Sequence, residues 1–489
     1  MAKLVIGTNK TGGVAAIYKA PSSSSYAIEK TVDANGKLSY ANTMMSFEGV
    51  KNIDDCALEC AYEQSNIPVD VDMSDLTTIT GYGACYQMFK NSAITGIDLS
   101  SLSSITGAEA CYTMCEGCEN LTTCDLSSLT TIGNSSCSSM FEGCTSLSMA
   151  IDLHNLTTVD DYGCQYMFTE SAITSIDLSG LTTLGKSSLR AMLRGCSDLT
   201  SVTFSSHITT ITADKVLEKF VENCTSLVNL DLRYITDLDS AQDCCAGCTA
   251  LETLDLRSLT SASLKNLCLG CTSLVSVNLS SLETCYSLES GFKNCTSLAT
   301  IDLSSVTTAG SFTSAFEGCT NLATVDLSGV ETITGGFNYI FKNCTNLISV
   351  DLSALTNINK YFQYAFQGCT KLTNIDLSGL KTITYSSACQ YMFDGCTSLT
   401  SFTFSALTSA TGSNDFAYMF NNSGLETLSF PSVTSFGGTA TLANMLAGCS
   451  NVTVHFPSNL ENTIKNWTSV KNGFGGTNTH IEYDLPATA

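Results

Sequence analysis

The sequence is poor in charged side chains, and especially in basic ones. Only 14% of its 489 residues are charged, and 45 Asp and Glu outnumber 22 Lys and Arg, for a formal net charge of −23. Nucleic acids and anionic membranes bind clustered basic side chains, so we expect neither as a partner. No apolar run approaches the roughly 18 residues of a membrane-spanning helix, so we expect no membrane insertion. No segment after Met1 has the apolar core of an ordinary export signal.

Histidine is also scarce, which limits the metal sites and catalytic groups that the chain could form. The four histidines occupy unrelated places in the sequence, at His154, His207, His455 and His480. No two of them share a spacing typical of metal ligands, and no nucleophile, histidine and acid can be combined into a catalytic group. We therefore expect no catalytic residues, no cofactor and no enzyme activity.

What the sequence does contain is a repeat of about 25 residues. Sixteen times, a Cys or Ser follows a short stretch that usually contains Phe and precedes a segment resembling Ile-Asp-Leu. We call this position slot zero, and it is occupied by Ser65, Ser92, Cys118, Cys144, Ser171, Cys196, Cys224, Cys248, Cys271, Cys295, Cys319, Cys344, Cys369, Cys396, Ser423 and Cys449. A fixed period of roughly 20–50 residues is the signature of a solenoid of stacked coils. The repeat therefore predicts an α/β solenoid of about 16 coils.

The residue types around slot zero predict the local structure of each coil. Slot −1 is Gly in nine coils and Asn in five, and both residues tolerate positive φ and end helices. Slot −3 is mostly Phe and slot −7 is Leu, Phe or Cys, so these positions would share one helical face. After slot zero, Leu at slot +3 introduces a strand-like segment, and a second apolar pair follows. Each coil is predicted to contain one helical turn and two short parallel strands.

The 25 cysteines follow this repeat. Twelve fill slot zero, and others replace Leu or Phe at slots −7 and −3. A residue that is interchangeable with Leu and Phe behaves as a buried hydrophobe, so we predict a ladder of free thiols and folding in a reducing cytosol. A zinc or redox site is the alternative, with its best candidates in two Cys-x-x-Cys pairs of neighbouring coils, at Cys245, Cys248, Cys268 and Cys271. These four cysteines occupy slots that face the core in other coils, which favours buried thiols and no bound metal at these positions.

An acidic residue recurs in the first strand of eleven coils. It is Asp72, Asp98, Asp125, Asp152, Asp177, Asp231, Asp255, Asp302, Asp326, Asp351 or Asp376. In-register stacking would set these carboxylates about 4.8 Å apart, where like charges repel. We predict that each Asp accepts backbone hydrogen bonds in the turn after its strand; a row of Ca²⁺ ions bound through the carboxylates is the alternative. The candidate ligand-facing residues are Asp255, Asp302, Asp326, Asp351 and Asp376.

A nucleotide-binding motif occurs at residues 180–187, Gly-Leu-Thr-Thr-Leu-Gly-Lys-Ser. It satisfies the phosphate-loop pattern, whose chemistry needs a preceding strand, a following helix and free backbone amides around the phosphate. In the repeat, Leu181 and Leu184 are the second apolar pair of a coil. We therefore interpret the match as a coincidence, and a metal- or nucleotide-using protein remains a minor alternative.

The cycle Phe-x-Gly-Cys-Thr-x-Leu-x-x-Ile-x-Leu-x-x-x-Leu-x-x-Ile resembles the BspA-like leucine-rich repeat family. Residues 316–333, Phe-Glu-Gly-Cys-Thr-Asn-Leu-Ala-Thr-Val-Asp-Leu-Ser-Gly-Val-Glu-Thr-Ile, are a good instance, and the pattern recurs over about 45–455. Asp-Leu-Ser stands where the family often has a Pro after the strand. The resemblance implies a leucine-rich repeat solenoid that is exposed at the surface of bacteria, their phages or some protists. It also implies binding or adhesion and supplies no catalytic residues.

Three segments follow from the extent of the repeat: an N-terminal attachment or capping segment at 1–40, the solenoid at 41–455 and a C-terminal cap at 456–489. Reduced thiols and a surface-binding family together favour a phage virion protein of the tail or fibre, which binds a host surface protein or glycan. Residues 1–40 would then attach it to the virion. A bacterial cell-surface or secreted adhesin is the alternative, and either form could be a homo-oligomer.

Overall fold

The fold was determined as a computed structural model. The structure describes residues 30–32, 38–40, 50–53, 55, 58–65, 68, 70–208, 210–211, 214–438 and 441–487. The chain divides into two compact units, Met1–Leu251 and Glu252–Ala489, which we call unit 1 and unit 2. Each is described by itself.

Unit 1 contains short strands separated by turns. They are β1 (Lys30–Val32), β2 (Leu38–Tyr40), β3 (Asn52–Ile53), β4 (Asp70–Asp72), β5 (Thr78–Ile79), β6 (Gly96–Asp98), β7 (Ser104–Ile105), β8 (Thr123–Asp125), β9 (Thr131–Ile132), β10 (Ala150–Asp152), β11 (Thr158–Val159), β12 (Ser175–Leu178), β13 (Thr183–Leu184), β14 (Ser201–Phe204), β15 (Thr210–Ile211) and β16 (Asn229–Asp231). β1 and β2 form an antiparallel pair. The odd-numbered strands from β3 to β15 form one parallel sheet, whereas the even-numbered strands form two separate parallel sheets, β4–β6–β8 and β10–β12–β14.

Unit 2 repeats this arrangement and ends in a short helical segment. Its strands are β17 (Thr253–Asp255), β18 (Ser261–Ser263), β19 (Ser276–Asn278), β20 (Thr284–Ser287), β21 (Thr300–Asp302), β22 (Thr308–Ser311), β23 (Thr324–Asp326), β24 (Thr332–Ile333), β25 (Ser349–Asp351), β26 (Asn357–Ile358), β27 (Asn374–Asp376), β28 (Thr382–Ile383), β29 (Ser401–Thr403), β30 (Ser409–Ala410), β31 (Thr427–Ser429), β32 (Ser435–Phe436), β33 (Thr453–Pro457) and β34 (His480–Leu485). Between β33 and β34 lie two helices, α1 (Glu461–Ile464) and α2 (Thr468–Lys471), and two 3₁₀ turns, Ser458–Leu460 and Gly473–Gly475.

Most coils contribute two strands, as predicted; the coil that contains β16 has no second strand among the described residues. In β6, Ile97 points into the core, whereas Asp98 is exposed, and this alternation gives the first strand one buried and one open face. Leu99 and Leu102 follow in the core, and β7 then adds Ile105. We call the open side of the first strands the strand face.

The predicted helical turn before slot zero is wrong, because this segment is a run of β-turns. In the coil that ends at Cys118, the amide of Cys118 donates to the carbonyl of Cys115 at 3.1 Å. The amide of Cys115 instead donates to the carbonyl of Met140 in the next coil, at 2.8 Å. Alternate amides thus bond within a coil and between coils. A helix would use these amides internally and leave none for the neighbouring coil.

The turns need a left-handed residue at every fourth position. In the same coil, φ is positive at Glu109 (55°), Thr113 (48°) and Gly117 (69°). The predicted positive φ at slot −1 is therefore correct, and the period of four extends it further back. This conformation costs a non-glycine residue roughly 1–2 kcal/mol. Each hydrogen bond between coils contributes roughly 0.5–1.5 kcal/mol, so stacking sustains the strained backbone.

The C-terminal segment packs against the last coil of unit 2. Strand β34 pairs in parallel with β33, while Leu460, Ile464 and Phe474 are buried. The single Trp467 contacts Phe436 edge-on, with ring centroids 6.4 Å apart. In the part of the chain that the structure describes, no helix has the length and apolar character needed to span a membrane.

Candidate binding face

The strand Asp residues are fixed by the turns that follow their strands. In all eleven coils, Oδ1 of the Asp accepts a hydrogen bond from the backbone amide two residues later, at 2.8–3.1 Å. Asn278, which replaces Asp in one coil, accepts the same bond from Ser280 at 3.2 Å. The predicted local bonding is confirmed, and it explains why an amide can substitute for the carboxylate.

In unit 1 these carboxylates form a row along the strand face. Asp72, Asp98 and Asp125 are register partners in one parallel sheet, and Asp152 and Asp177 are partners in the next. In the described residues, no Lys or Arg forms an ion pair with any of the five. Hydrogen bonds from Ser74 lower the pKa of Asp72, and those from His154 lower the pKa of Asp152. The row therefore carries negative charge at neutral pH.

A shallow groove of about 810 Å³ lies along this row. Its walls include Asp70, Asp72, Asp98, Asp125 and Asp152, and its floor includes Ile97, Cys124, Met149 and Ile151. The strand ladder is interrupted here, since β8 and β10 belong to separate sheets. The amide of Cys124 donates instead to Sδ of Met149, at 3.4 Å. An apolar floor between acidic walls suits a partner that offers both apolar and cationic groups.

In unit 2 the candidate Asp residues fall into two groups. Asp255 pairs with Arg257, whose Nε lies 3.0 Å from each carboxylate oxygen, so its charge is neutralised locally. Asp302, Asp326 and Asp351 line a second shallow groove, of about 370 Å³. Asp376 continues this row as the register partner of Asp351. The structure thus brings four of the five predicted ligand-facing residues into one row.

The cysteines of slot zero have a role that the sequence analysis missed. Eleven of these buried thiols donate a hydrogen bond to a backbone carbonyl in the preceding coil, as Cys319 does to Phe292 at 3.0 Å. The same bond is formed by Cys118, Cys144, Cys196, Cys224, Cys248, Cys295, Cys344, Cys369, Cys396 and Cys449. Ser171 also bonds a backbone carbonyl, that of Phe168, at 2.7 Å. The shared use of Cys and Ser at slot zero was the available signal, because both residues are short donors.

All the described cysteines except the half-buried Cys60 are buried. The four zinc candidates, Cys245, Cys248, Cys268 and Cys271, are among the fully buried ones. Burial raises the pKa of Cys248 to about 12, which disfavours the thiolate needed for metal binding or redox attack. These positions have the environment of structural thiols.

The phosphate-loop match lies in ordinary coil structure. Leu181 and Leu184 are fully buried, as the repeat predicts. The amide of Lys186 donates to Oδ1 of Asp161 at 2.7 Å, and its side chain pairs with Asp214 at 2.8 Å. This backbone donor and the lysine are therefore engaged with protein carboxylates, so the segment does not have the open amide cradle of a phosphate loop.

The stacked coils, parallel ladders and buried Leu positions define a leucine-rich repeat solenoid. The family model for the BspA type leucine rich repeat region matches in overlapping copies over residues 77–163, 117–232, 194–311, 289–418 and 337–453. These matches cover most of the chain, which therefore belongs to the BspA-type leucine-rich repeat family. The sequence resemblance is thus confirmed. A comparison with curated proteins finds no match.

Solved structures of bacterial proteins resemble this chain, and the one with a TM-score above 0.5 supports the fold. A leucine-rich repeat protein from Bacteroides ovatus is 22% identical, with a TM-score of 0.52 over 85% of this chain and 91% of that one. A leucine-rich repeat protein from Eubacterium ventriosum is 16% identical, with a TM-score of 0.34 over 81% and 93% of the two chains. The pneumococcal vaccine antigen PcpA is 14% identical, with a TM-score of 0.29 over 97% and 100%.

Membership of this family defines the protein's general character. BspA-like leucine-rich repeat proteins are generally protein-binding or adhesin-like, and they are usually found at the surface or secreted. Solenoids of this kind typically serve as non-catalytic binding scaffolds. The strand face carries the exposed Asp residues at the ends of the first strands, such as Asp98 and Asp125.

Proposed function

We propose that the protein is a non-catalytic adhesion protein that contacts a surface protein or glycan through the strand face of unit 1. The observation that carries this proposal is the acidic row, in which five carboxylates border or continue from a groove with an apolar floor. No Lys or Arg of the described residues neutralises them, unlike Asp231, which pairs with Nη2 of Arg233 at 2.5 Å.

Charge favours a partner that is cationic where it meets the row. In-register carboxylates repel one another, and their turn bonds fix them in place without neutralising them. A partner that presents Lys or Arg side chains would relieve this repulsion, and it would be attracted at long range by the net charge of −23. The row of Asp302, Asp326, Asp351 and Asp376 is a second contact surface of the same kind. Ca²⁺ held along either row is a further part of the proposal, because carboxylate oxygens are its preferred ligands.

Display on a phage particle, in the tail or on a fibre, is the form of adhesion that the buried thiols support best. A virion protein folds in the reducing host cytosol, where thiols persist. Residues 1–40 would attach the chain to the virion; most of them lie outside the described residues. The alternative is a bacterial cell-surface or secreted adhesin. Peptides of this chain in purified particles would support the first form, whereas their presence only in cell-envelope or culture-medium fractions would support the second.

Two double variants, each of which removes two negative charges, test whether the acidic row binds the partner. In Asp98→Asn with Asp125→Asn, the amide oxygen keeps the turn bond, as Asn278 already does. The control, Glu119→Gln with Asp198→Asn, removes two exposed charges elsewhere on unit 1. Binding of purified protein to intact bacterial cells is measured at low and high salt. We expect at least a tenfold loss in the strand-face variant and little change in the control. Equal binding by both variants would contradict the proposal.

A further inference from the structure

Three metal-binding side chains meet at the C-terminal edge of unit 2. His455 occupies the slot that holds Asp in most coils, on strand β33. Its register partner on β34 is Glu482, and Asp484 lies two residues further along the same strand. Because side chains alternate across a strand, Glu482 and Asp484 point to the same side. Sequence analysis missed this group, since Glu482 and Asp484 lie outside the repeat.

The donor atoms of the three side chains are close together. Nδ1 of His455 lies 2.9 Å and 3.0 Å from the two carboxylate oxygens of Asp484 and 3.5 Å from Oε2 of Glu482. All three donor atoms lie within 4.8 Å of one another. His455 is the most sheltered, with 21% of its side chain exposed, against 51% for Glu482 and 49% for Asp484. The group is therefore anchored on the protein side and open to solvent.

We propose that His455, Glu482 and Asp484 bind one divalent transition-metal cation, with Zn²⁺ as the representative ion. Zinc lies about 2.0–2.2 Å from nitrogen and oxygen ligands, so two ligands at about 90–110° on one ion are roughly 3.0–3.4 Å apart. The distances from Nδ1 of His455 to the carboxylate oxygens of Asp484 and Glu482, 2.9–3.5 Å, are close to this range. An ion in place of the shared proton would need only small side-chain movements.

The ligand types select the class of ion. An imidazole nitrogen with two carboxylates suits Zn²⁺, Co²⁺ or Ni²⁺, whereas Ca²⁺ takes six to eight oxygen ligands and Mg²⁺ favours oxygen. Three protein ligands leave at least one coordination position open. That position faces solvent, where water or a donor atom from another molecule can occupy it.

A bound ion would join the last two strands of the solenoid. Strand β34 is the terminal strand, and its exposed edge depends on β33 for pairing on one side. An ion that holds His455 on β33 and two carboxylates on β34 would stabilise this pairing. Because binding to the folded state raises its stability, the metal should raise the temperature at which unit 2 unfolds.

The same chain supplies a matched control. His154 also lies beside a carboxylate, with Nδ1 2.6 Å from Oδ1 of Asp152, but no third ligand joins this pair among the described residues. His480 is exposed on the same strand as Glu482. His154→Ala and His480→Ala should therefore leave metal binding unchanged, whereas His455→Ala should abolish it.

The experiment titrates chelator-treated full-length protein with Zn²⁺ and follows the heat released and the thermal unfolding. We expect one site per chain with micromolar affinity and a higher unfolding temperature with the ion. Both effects should disappear in His455→Ala and in Glu482→Gln with Asp484→Asn, which should still fold without metal. Co²⁺ should give a visible spectrum without a thiolate charge-transfer band.

Four outcomes would overturn the proposal. They are no saturable binding in the unmodified protein, equal binding in His455→Ala, a thiolate band with Co²⁺, and loss of binding in His154→Ala. The first would leave His455 and Asp484 as a simple ion pair. The next two would assign the metal to other ligands, such as cysteines, and the last would move it to the Asp152–His154 pair.

Discussion

Units 1 and 2 build the same coil with different side chains. In unit 2, slot −3 holds a continuous stack of Phe rings whose centroids are 5.3–5.7 Å apart: Phe292, Phe316, Phe341, Phe366, Phe393 and Phe420. In unit 1 the same slot mixes Phe with Leu, Val and Cys, as at Cys115. The outer turns also differ at particular positions. Arg190 pairs with Glu218 in unit 1, whereas Tyr364 stacks on Tyr391 in unit 2. Each unit also has the other kind of contact, as in the Tyr86–Tyr112 stack of unit 1 and the Lys293–Glu317 pair of unit 2.

This difference shows that the backbone ladder, and not a particular side chain, defines the coil. Any residue of suitable size can fill a core slot, provided that the neighbouring coil presents a similar shape. Two kinds of hydrogen bond occur in both units. Alternate turn amides donate to the neighbouring coil, and thiols at slot zero donate to backbone carbonyls. The two units therefore allow each contribution to be tested at matched positions.

The largest expected effect is at slot −3. Phe366→Ala in unit 2 removes a ring stacked on both sides and should lower the free energy of unfolding by about 3–5 kcal/mol. Cys115→Ala in unit 1 removes one sulfur from the same slot and should cost about 1 kcal/mol. Urea unfolding, followed by tyrosine fluorescence and by circular dichroism, measures both. Similar losses at the two positions would show that ring stacking adds nothing to unit 2.

The next effect concerns slot −8, eight residues before slot zero, where the two units bury different polar side chains. Unit 1 holds Ser136, whose hydroxyl donates to the carbonyl of Gly107 at 2.7 Å. Unit 2 holds the fully buried Asp415, whose carboxylate oxygens have no well-formed hydrogen bond. Burial raises the pKa of Asp415 to about 6, and the nearby amides of Gly412 and Ala388 offset this only in part.

Asp415→Ser should therefore stabilise the protein at neutral pH. The folded state binds the proton of Asp415 more tightly than the unfolded state, whose pKa is the ordinary 3.8. The wild type thus loses stability as pH rises from about 4 to about 6, by up to about 3 kcal/mol, and the variant does not. The measurement is the difference in unfolding free energy between the two proteins at pH 4.5 and pH 7.5. A difference that is independent of pH would contradict the prediction.

A smaller effect is expected from the thiol hydrogen bonds. Cys319→Ala leaves the carbonyl of Phe292 without this donor and should cost about 1–2 kcal/mol. Cys319→Ser keeps a hydrogen-bond donor at this position and should cost less. Chemical unfolding of the two variants compares them directly. A greater loss in the Ser variant would mean that the sulfur acts only through its volume.

The smallest effect is expected on the outer turns. In unit 1, Glu218 pairs with Arg190 at 3.0 Å, and Glu218→Gln should cost about 1 kcal/mol at low salt and less at high salt. In unit 2, Tyr391→Ala removes stacking at 4.9 Å on both sides, and its cost should not depend on salt. Thermal unfolding at two salt concentrations separates the two. Equal salt dependence of the two variants would remove this distinction between the two positions.

Much of the coil was predictable from the sequence. The interchange of Cys, Leu and Phe predicts burial, and Gly117 or Asn91 at slot −1 predicts the left-handed residue. The helical turn was wrong because apolar residues four apart fit a helix and also fit consecutive turns with a left-handed residue at every fourth position. Local spacing cannot separate these, since the deciding hydrogen bonds reach a neighbouring coil about 25 residues away.

The candidate sites were predictable in part for the same reason. The Asp row follows from the repeat, and Asp302, Asp326 and Asp351 do share a groove. The neutralisation of Asp255 depends on the side-chain rotamer of Arg257, and the contact of His455 with Asp484 depends on strand pairing outside the repeat. The repeat pattern predicts neither contact.

The central claim is that stacked coils bury protonated thiols as hydrogen-bond donors, which leaves recognition to the strand face. Thiol counting with a small water-soluble disulfide reagent, without reductant and in native and fully denatured protein, tests it most directly. The account predicts that at most a few thiols react in the native state and that all 25 react after denaturation. Rapid reaction of many thiols in the native protein, or a denatured count well below 25, would contradict it.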